Sequence, residues 1–162
     1  YYVTDLLSDL LCNGQSSRLY RRLLKERQLF SSIDCYVTGN IDPGLLVIEG
    51  KPSDGVSLEE AAAAIWEEIE QVKAAPIPER ELQKLKNKVE STLVFSESNI
   101  LNKAINLAFF ELLCDATKIN EEVDFYQKIT VEDMLRVARE VLTPENCSEL
   151  YVKADTALAG SL

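Results

Sequence analysis

Apolar residues recur at three- and four-residue steps from Val3 through Leu6, Leu7, Leu10 and Leu11, which predicts a helix with one buried face. Asn13-Gly14 ends it, and Ser16 or Ser17 stands where it can cap a second helix. In that helix Leu19, Leu23 and Leu24 face inward, while Arg18, Arg21, Arg22 and Lys25 form a solvated face. Beyond Gln28 the period becomes two. Ile33, Cys35 and Val37 alternate with Ser32, Asp34, Tyr36 and Thr38, as in a strand with one wet face. A turn over Gly39-Asn40-Ile41-Asp42-Pro43-Gly44 then leads to Leu45-Leu46-Val47-Ile48-Glu49-Gly50, a continuous β-prone run expected to form the other, more deeply buried strand of a hairpin.

Ser57-Leu58-Glu59-Glu60 reads as a capping box opening a helix that turns Leu58, Ala62, Ile65, Ile69 and Val72 inward and ends near Ala74-Ala75-Pro76, with Trp66 as a packing residue. Pro78 suits the first position of the next helix, which runs to about Ser96. From Ile100 to Cys114 apolar residues cover more than one helical face, which predicts burial on two sides and implies that Ile105→Asp would unfold the chain. Thr130 to Asp133 caps a helix through Leu142, Glu149 to Lys153 reads as a final strand, and residues 154–162 as a tail. The expected fold class is therefore α+β, an antiparallel sheet with helices packed on one face, in a single domain over residues 1–153. Three strands are few for so many helices, so a further strand before Tyr1 is expected. The start at Tyr1-Tyr2-Val3 suggests a piece of a longer polypeptide.

Composition narrows the chemistry. Of 162 residues, 17 are Lys or Arg and 27 Asp or Glu, a net charge of −10 that repels phosphate backbones and anionic lipid surfaces. Neither nucleic acid nor membrane is an expected partner, and no apolar run is long enough to span a bilayer. The chain has no histidine, which removes Ser-His-Asp and Cys-His nucleophile pairs and every imidazole zinc site. Cys12, Cys35, Cys114 and Cys147 include no C-x-x-C pair and read as buried free thiols, although an even count also permits disulfides. Glu59, Glu60, Glu67, Glu68 and Glu70 could be imagined as an acid and base pair or an oxygen-rich metal site, but all are expected on the water-facing side of one helix, where nothing tunes a carboxyl. Ser16 and Ser17 near Arg18 and Arg21 invite a reading as a nucleophile or an anion site at a helix start, and capping explains them more simply, while nothing local points to a Ser-Lys dyad. No catalytic and no metal-binding residue is assigned on these grounds.

Three blocks carry a resemblance. Asp5-Leu6-Leu7-Ser8-Asp9-Leu10-Leu11 followed by Gly14-Gln15-Ser16-Ser17-Arg18-Leu19-Tyr20, then Ile77-Pro78-Glu79-Arg80-Glu81-Leu82, then Tyr126 to Asp133 through Thr130-Val131-Glu132, resemble the C-terminal domain of the pitrilysin and insulinase family of zinc metallopeptidases. Asp42-Pro43-Gly44-Leu45 is similar to that family's hairpin, and the resemblance extends from Tyr1 to Val152. It implies that the zinc motif H-x-x-E-H lies in a different, N-terminal domain of the parent protein, and that this chain is a non-catalytic domain closing the peptide chamber. Zinc is thus implied for the parent, with no cofactor in this chain. The family's substrate-positioning Arg and Tyr pair, laid onto Leu23 to Ser32, falls on Leu24 and Ser31, so no functional residue is carried over. The expected partners are the zinc-binding domain, a peptide substrate and a homo- or heterodimer mate, in a bacterial cytoplasm or periplasm. The alternative is a structural or scaffold subunit of the same fold without peptidase activity.

Overall fold

Four leucines of helix α1 (Tyr2–Leu11) set the centre of the molecule: Leu6, Leu7 and Leu11 are wholly excluded from water and Leu10 nearly so. The computed structural model describes residues 1–39, 42, 44–113 and 115–153. Around α1 pack strand β1 (Phe30–Val37) and helices α3 (Glu79–Ser96), α5 (Glu122–Gln127) and α6 (Val131–Val141), whose inward residues include Leu82, Leu85, Tyr126 and Met134. Helix α2 (Leu58–Ala74) packs against α6, and helix α4 (Ile100–Leu113) joins the body through a 3-10 turn at Ala116–Glu121.

The chain leaves α1 through Gly14, whose φ of +106° lies in the left-handed region that glycine tolerates. The second helix then widens into a π-helical segment, Tyr20–Glu26, with Leu23 buried and Leu24 partly buried against the core. Neither serine caps it: Ser17 Oγ donates to the Gly14 carbonyl, and Ser16 Oγ is held by Lys84 Nζ. Strand β1 pairs antiparallel with β2 (Leu46–Pro52), with Cys35 opposite Ile48 and Val37 opposite Leu46 and an irregularity between Phe30 and Ser32. Phe30, Ile33 and Cys35 point into the core while Ser32, Asp34 and Tyr36 face water, so the helices cover one face of the hairpin. Gly50 is required beneath the Phe30 ring, because a Cβ there would lie 2.6 Å from Cε1.

Sequence pattern and structure agree on α1, the hairpin, the Ser57 cap, which accepts from the Glu60 N–H at 3.0 Å, and the reciprocal Thr130–Asp133 box of α6. Beyond the uncapped second helix, they part in the following elements. Strand β2 is less buried than β1, because among the described residues the sheet ends there with two strands. Residues 149–153 form no strand: Leu150 is 89% and Val152 82% exposed, and the segment is tied to α2, through Glu149 to Trp66 and Lys153 to Glu59, instead of to a sheet edge. Helix α2 turns Ala61, Ala64, Glu68, Ile69 and Val72 inward, a stripe rotated from the expected one. Finally, α4 has no buried residue at all. Its apolar residues spread round the helix, yet no side of it is fully covered among the described residues. Ile105, 56% exposed, therefore cannot anchor the fold. In dilute solution Ile105→Asp should shift unfolding by no more than about 0.5 kcal/mol in a urea titration, the range of ordinary surface substitutions. The expected residues Asn40, Ile41 and Pro43 of the turn, Cys114 at the end of α4, and the tail 154–162 lie outside the described residues.

Candidate functional site

The segment from Asn13 to Ser31 carries the serines, the basic run and both positions of the expected pair, and α2 and α3 hold it in place. Arg18 grips Glu81 through two bonds, Nη2 to Oε2 at 2.8 Å and Nε to Oε1 at 3.3 Å. Arg22 Nη1 donates to Glu68 Oε1 at 3.3 Å, and Arg27 Nη1 to Glu67 Oε2 at 2.7 Å. Lys88 Nζ reaches the Asn13 carbonyl at 2.8 Å. The basic run is thus largely a strap. Of its members, Arg21 pairs with nearby Glu26, at 3.4 Å in open solvent.

The strap also accounts for the serines and carboxylates. Ser16 and Lys84 do meet, but both are exposed, whereas a lysine that activates a serine needs a desolvated amine. Glu67 is tied to Arg27, Glu70 to Lys73 at 2.7 Å, and Glu59 to Lys153 at 3.8 Å. Glu68 was expected in water and instead is buried, with Gln71 Nε2 as a second, 3.4 Å donor. The signal for it was present: Ala61, Ala64, Glu68 and Val72 share one helical stripe. Lys86 is buried as well, its Nζ donating to the Gln127 carbonyl at 2.8 Å. Trp66 packs on the core and donates from Nε1 to Glu149 Oε1 at 2.9 Å. Among the described residues no three His, Cys, Asp or Glu side chains converge as metal ligands. Leu24 is an aliphatic packing residue, and the Ser31 hydroxyl donates to the Lys51 carbonyl at 3.1 Å. A depression along α3 between Pro78 and Asn87 is walled by that helix alone and encloses nothing. No described helix is long and apolar enough to cross a membrane.

Two further groups escaped the sequence. Tyr126 OH donates to Asp5 Oδ2 at 2.7 Å across 121 residues, and Tyr2 stacks on Phe125 with centroids 5.2 Å apart. Burial first, then the Asp5 bond, raise the Tyr126 phenol above its ordinary range, and burial raises the Glu122 carboxyl nearby. The second group is a thiol pair. A hydrogen bond with Cys12, then burial, push the Cys35 thiol up, while Cys147 is exposed. Iodoacetamide should therefore label Cys147 in the native protein and leave Cys12 and Cys35 unmodified until denaturant is added, as peptide mass spectrometry would show. Rapid native labelling of Cys35 would contradict its burial beside Cys12.

Comparison with known proteins gives this frame a family. The family model described as "Peptidase M16 inactive domain" matches residues 1–89. The "inactive peptidase domain of a putative zinc protease" from Bordetella parapertussis superposes with a TM-score of 0.85 at 20% identity, covering 96% of this chain and 85% of that one. A "putative zinc protease" from Bordetella pertussis Tohama I gives 0.78 at 20% identity, covering 90% and 81%. A protease from Helicobacter pylori gives 0.79 at 22% identity, covering 86% of this chain but only 34% of its own, so this chain spans about a third of that protein. No curated protein matches.

Proposed function

The chain belongs to the peptidase M16 family, the pitrilysin and insulinase family that its motifs resemble, as an inactive C-terminal domain, and from that premise we propose that it forms a wall of the peptide chamber in a larger zinc endopeptidase. The observation that carries the reading is the complete absence of histidine from a chain with this frame. The inverted motif H-x-x-E-H needs two, so metal and general base belong to another domain. Zinc bound there would supply a polarised water for attack on the peptide carbonyl. The described residues of this chain offer no ligand set for it, and no step of hydrolysis is assigned to them. Their part is rigid support: α1 and the strap hold the hairpin and α3 in one arrangement against which a zinc-bearing domain and a peptide can seat.

One observation favours a second reading. Leu24 and Ser31, at the positions of the substrate-positioning pair, offer neither a guanidinium nor a phenol. A scaffold subunit without peptidase activity would need neither. Assay of the full-length parent on a quenched fluorescent peptide mixture separates the two. The peptidase reading expects hydrolysis that a chelator abolishes and zinc restores; no hydrolysis with zinc and every partner subunit present would leave the scaffold reading.

A further inference from the structure

The end of α1 meets strand β1 at two cysteines. Cys12 closes the helix and Cys35 lies within the strand, each 5% exposed and both inside the hydrophobic core. A hydrogen bond joins the two thiols, so the fold brings their sulfurs together. Both are free thiols in this structure, and among the described residues no metal-ligating cluster includes them. A buried cysteine on its own is small apolar filling. Two that meet from different elements are also the two halves of a disulfide. Between them, residues 13–34 hold the left-handed turn at Gly14, the π-helical segment and the strap arginines Arg18, Arg22 and Arg27. A bond from 12 to 35 closes all of these into one loop.

We propose that Cys12 and Cys35 form a disulfide when the chain folds in the presence of a low-molecular-weight disulfide such as oxidised glutathione, closing the strap segment into a covalent loop. The thiolate of one cysteine attacks the glutathione disulfide, which gives a mixed disulfide and releases one glutathione. The thiolate of the other then attacks the protein sulfur of that mixed disulfide and displaces the second glutathione. The protein dithiol is oxidised, the glutathione disulfide is reduced, and the two thiol protons pass to the two departing glutathione thiolates. Burial sets the timing. In the finished fold the core shuts out a tripeptide oxidant and disfavours the thiolate that must attack, so exchange precedes the closing of α1 on β1. The completed bond is sheltered from reduction in the same way. The pair thereby records the redox state of the compartment in which the chain folded. Folding favours the bond by holding the sulfurs together, and by linkage the bond favours folding by the same factor. The proposal goes beyond the chamber role and holds whether or not the parent hydrolyses peptides.

Refolding the chain from urea in glutathione redox buffers, with an acid quench and mass spectrometry, tests it. The refolded protein should be lighter by two hydrogen atoms, and its digest should contain the Cys12 peptide linked to the Cys35 peptide. The equilibrium constant for oxidation by glutathione should be about thirtyfold or more higher in buffer than in denaturing urea. The oxidised protein should also unfold at higher urea than the same protein kept in dithiothreitol. Cys12→Ala should abolish that difference between the two buffers, a comparison within one variant from which any loss of packing cancels. Cys147→Ala should keep it, since that thiol is exposed and outside the pair. Iodoacetamide that alkylates both Cys12 and Cys35 once the glutathione-refolded protein is denatured would overturn the proposal. So would a bond from either residue to Cys114 or Cys147, an oxidation constant no higher in buffer than in urea, or a stability difference that Cys12→Ala retains.

Discussion

Replacing Leu7 with alanine should lower the free energy of unfolding by about 2–5 kcal/mol in a urea titration. Leu7 is wholly buried in α1, and that helix touches α3, α5, α6 and β1. The loss combines the transfer of three carbon atoms with the cavity they leave, and surroundings fixed from four sides collapse into it poorly. Against a total stability of about 5–15 kcal/mol typical of small domains, a loss of that size leaves a marginal protein. Ile105 on α4 has a comparable side chain and one surface in water, so its substitution should be nearly silent. The contrast between the two positions distinguishes a molecule built around α1 from one in which α4 is a core helix.

The second large effect comes from charge. Arg22→Ala should cost about 1–3 kcal/mol, because it leaves the carboxylate of buried Glu68 with the long Gln71 bond as its remaining partner. Arg22 itself is 38% exposed, so the loss lies in stranding the glutamate and less in the attraction of the pair. Glu68→Leu, which removes the stranded group, should make the later loss of Arg22 nearly free. A double-mutant cycle measured by denaturant titration would read that coupling. Additive losses would show that Arg22 and Glu68 act independently and that the strap is not held by this contact.

Much of the framework was legible because its signals are local. The leucine spacing of α1, the alternation of Ile33 and Cys35, and the Thr130–Asp133 box each specify their element within a few residues. What escaped depends on partners distant in sequence. An apolar helix such as α4 shows the same composition whether other helices or water surround it, and Glu149 to Lys153 is β-prone but pairs with no strand among the described residues. In α2, alanines at 61, 62 and 64 blur the inward stripe, and that hid the burial of Glu68. The candidate site divided the same way. The want of histidine is a fact of composition. The use of Arg18, Arg22 and Arg27 as a strap onto α2 and α3 needs the fold, since their carboxylates lie 40 to 63 residues away.

The family frame assigns metal chemistry to a domain other than this one, so the most direct measurement is zinc content per chain of the native full-length parent, by elemental analysis after purification without chelators. The expected result is about one zinc per parent chain, with none retained by residues 1–162 after limited proteolysis separates them. A parent without zinc, or zinc that stays with this histidine-free segment, would contradict the assignment of this chain as the inactive wall of a zinc peptidase.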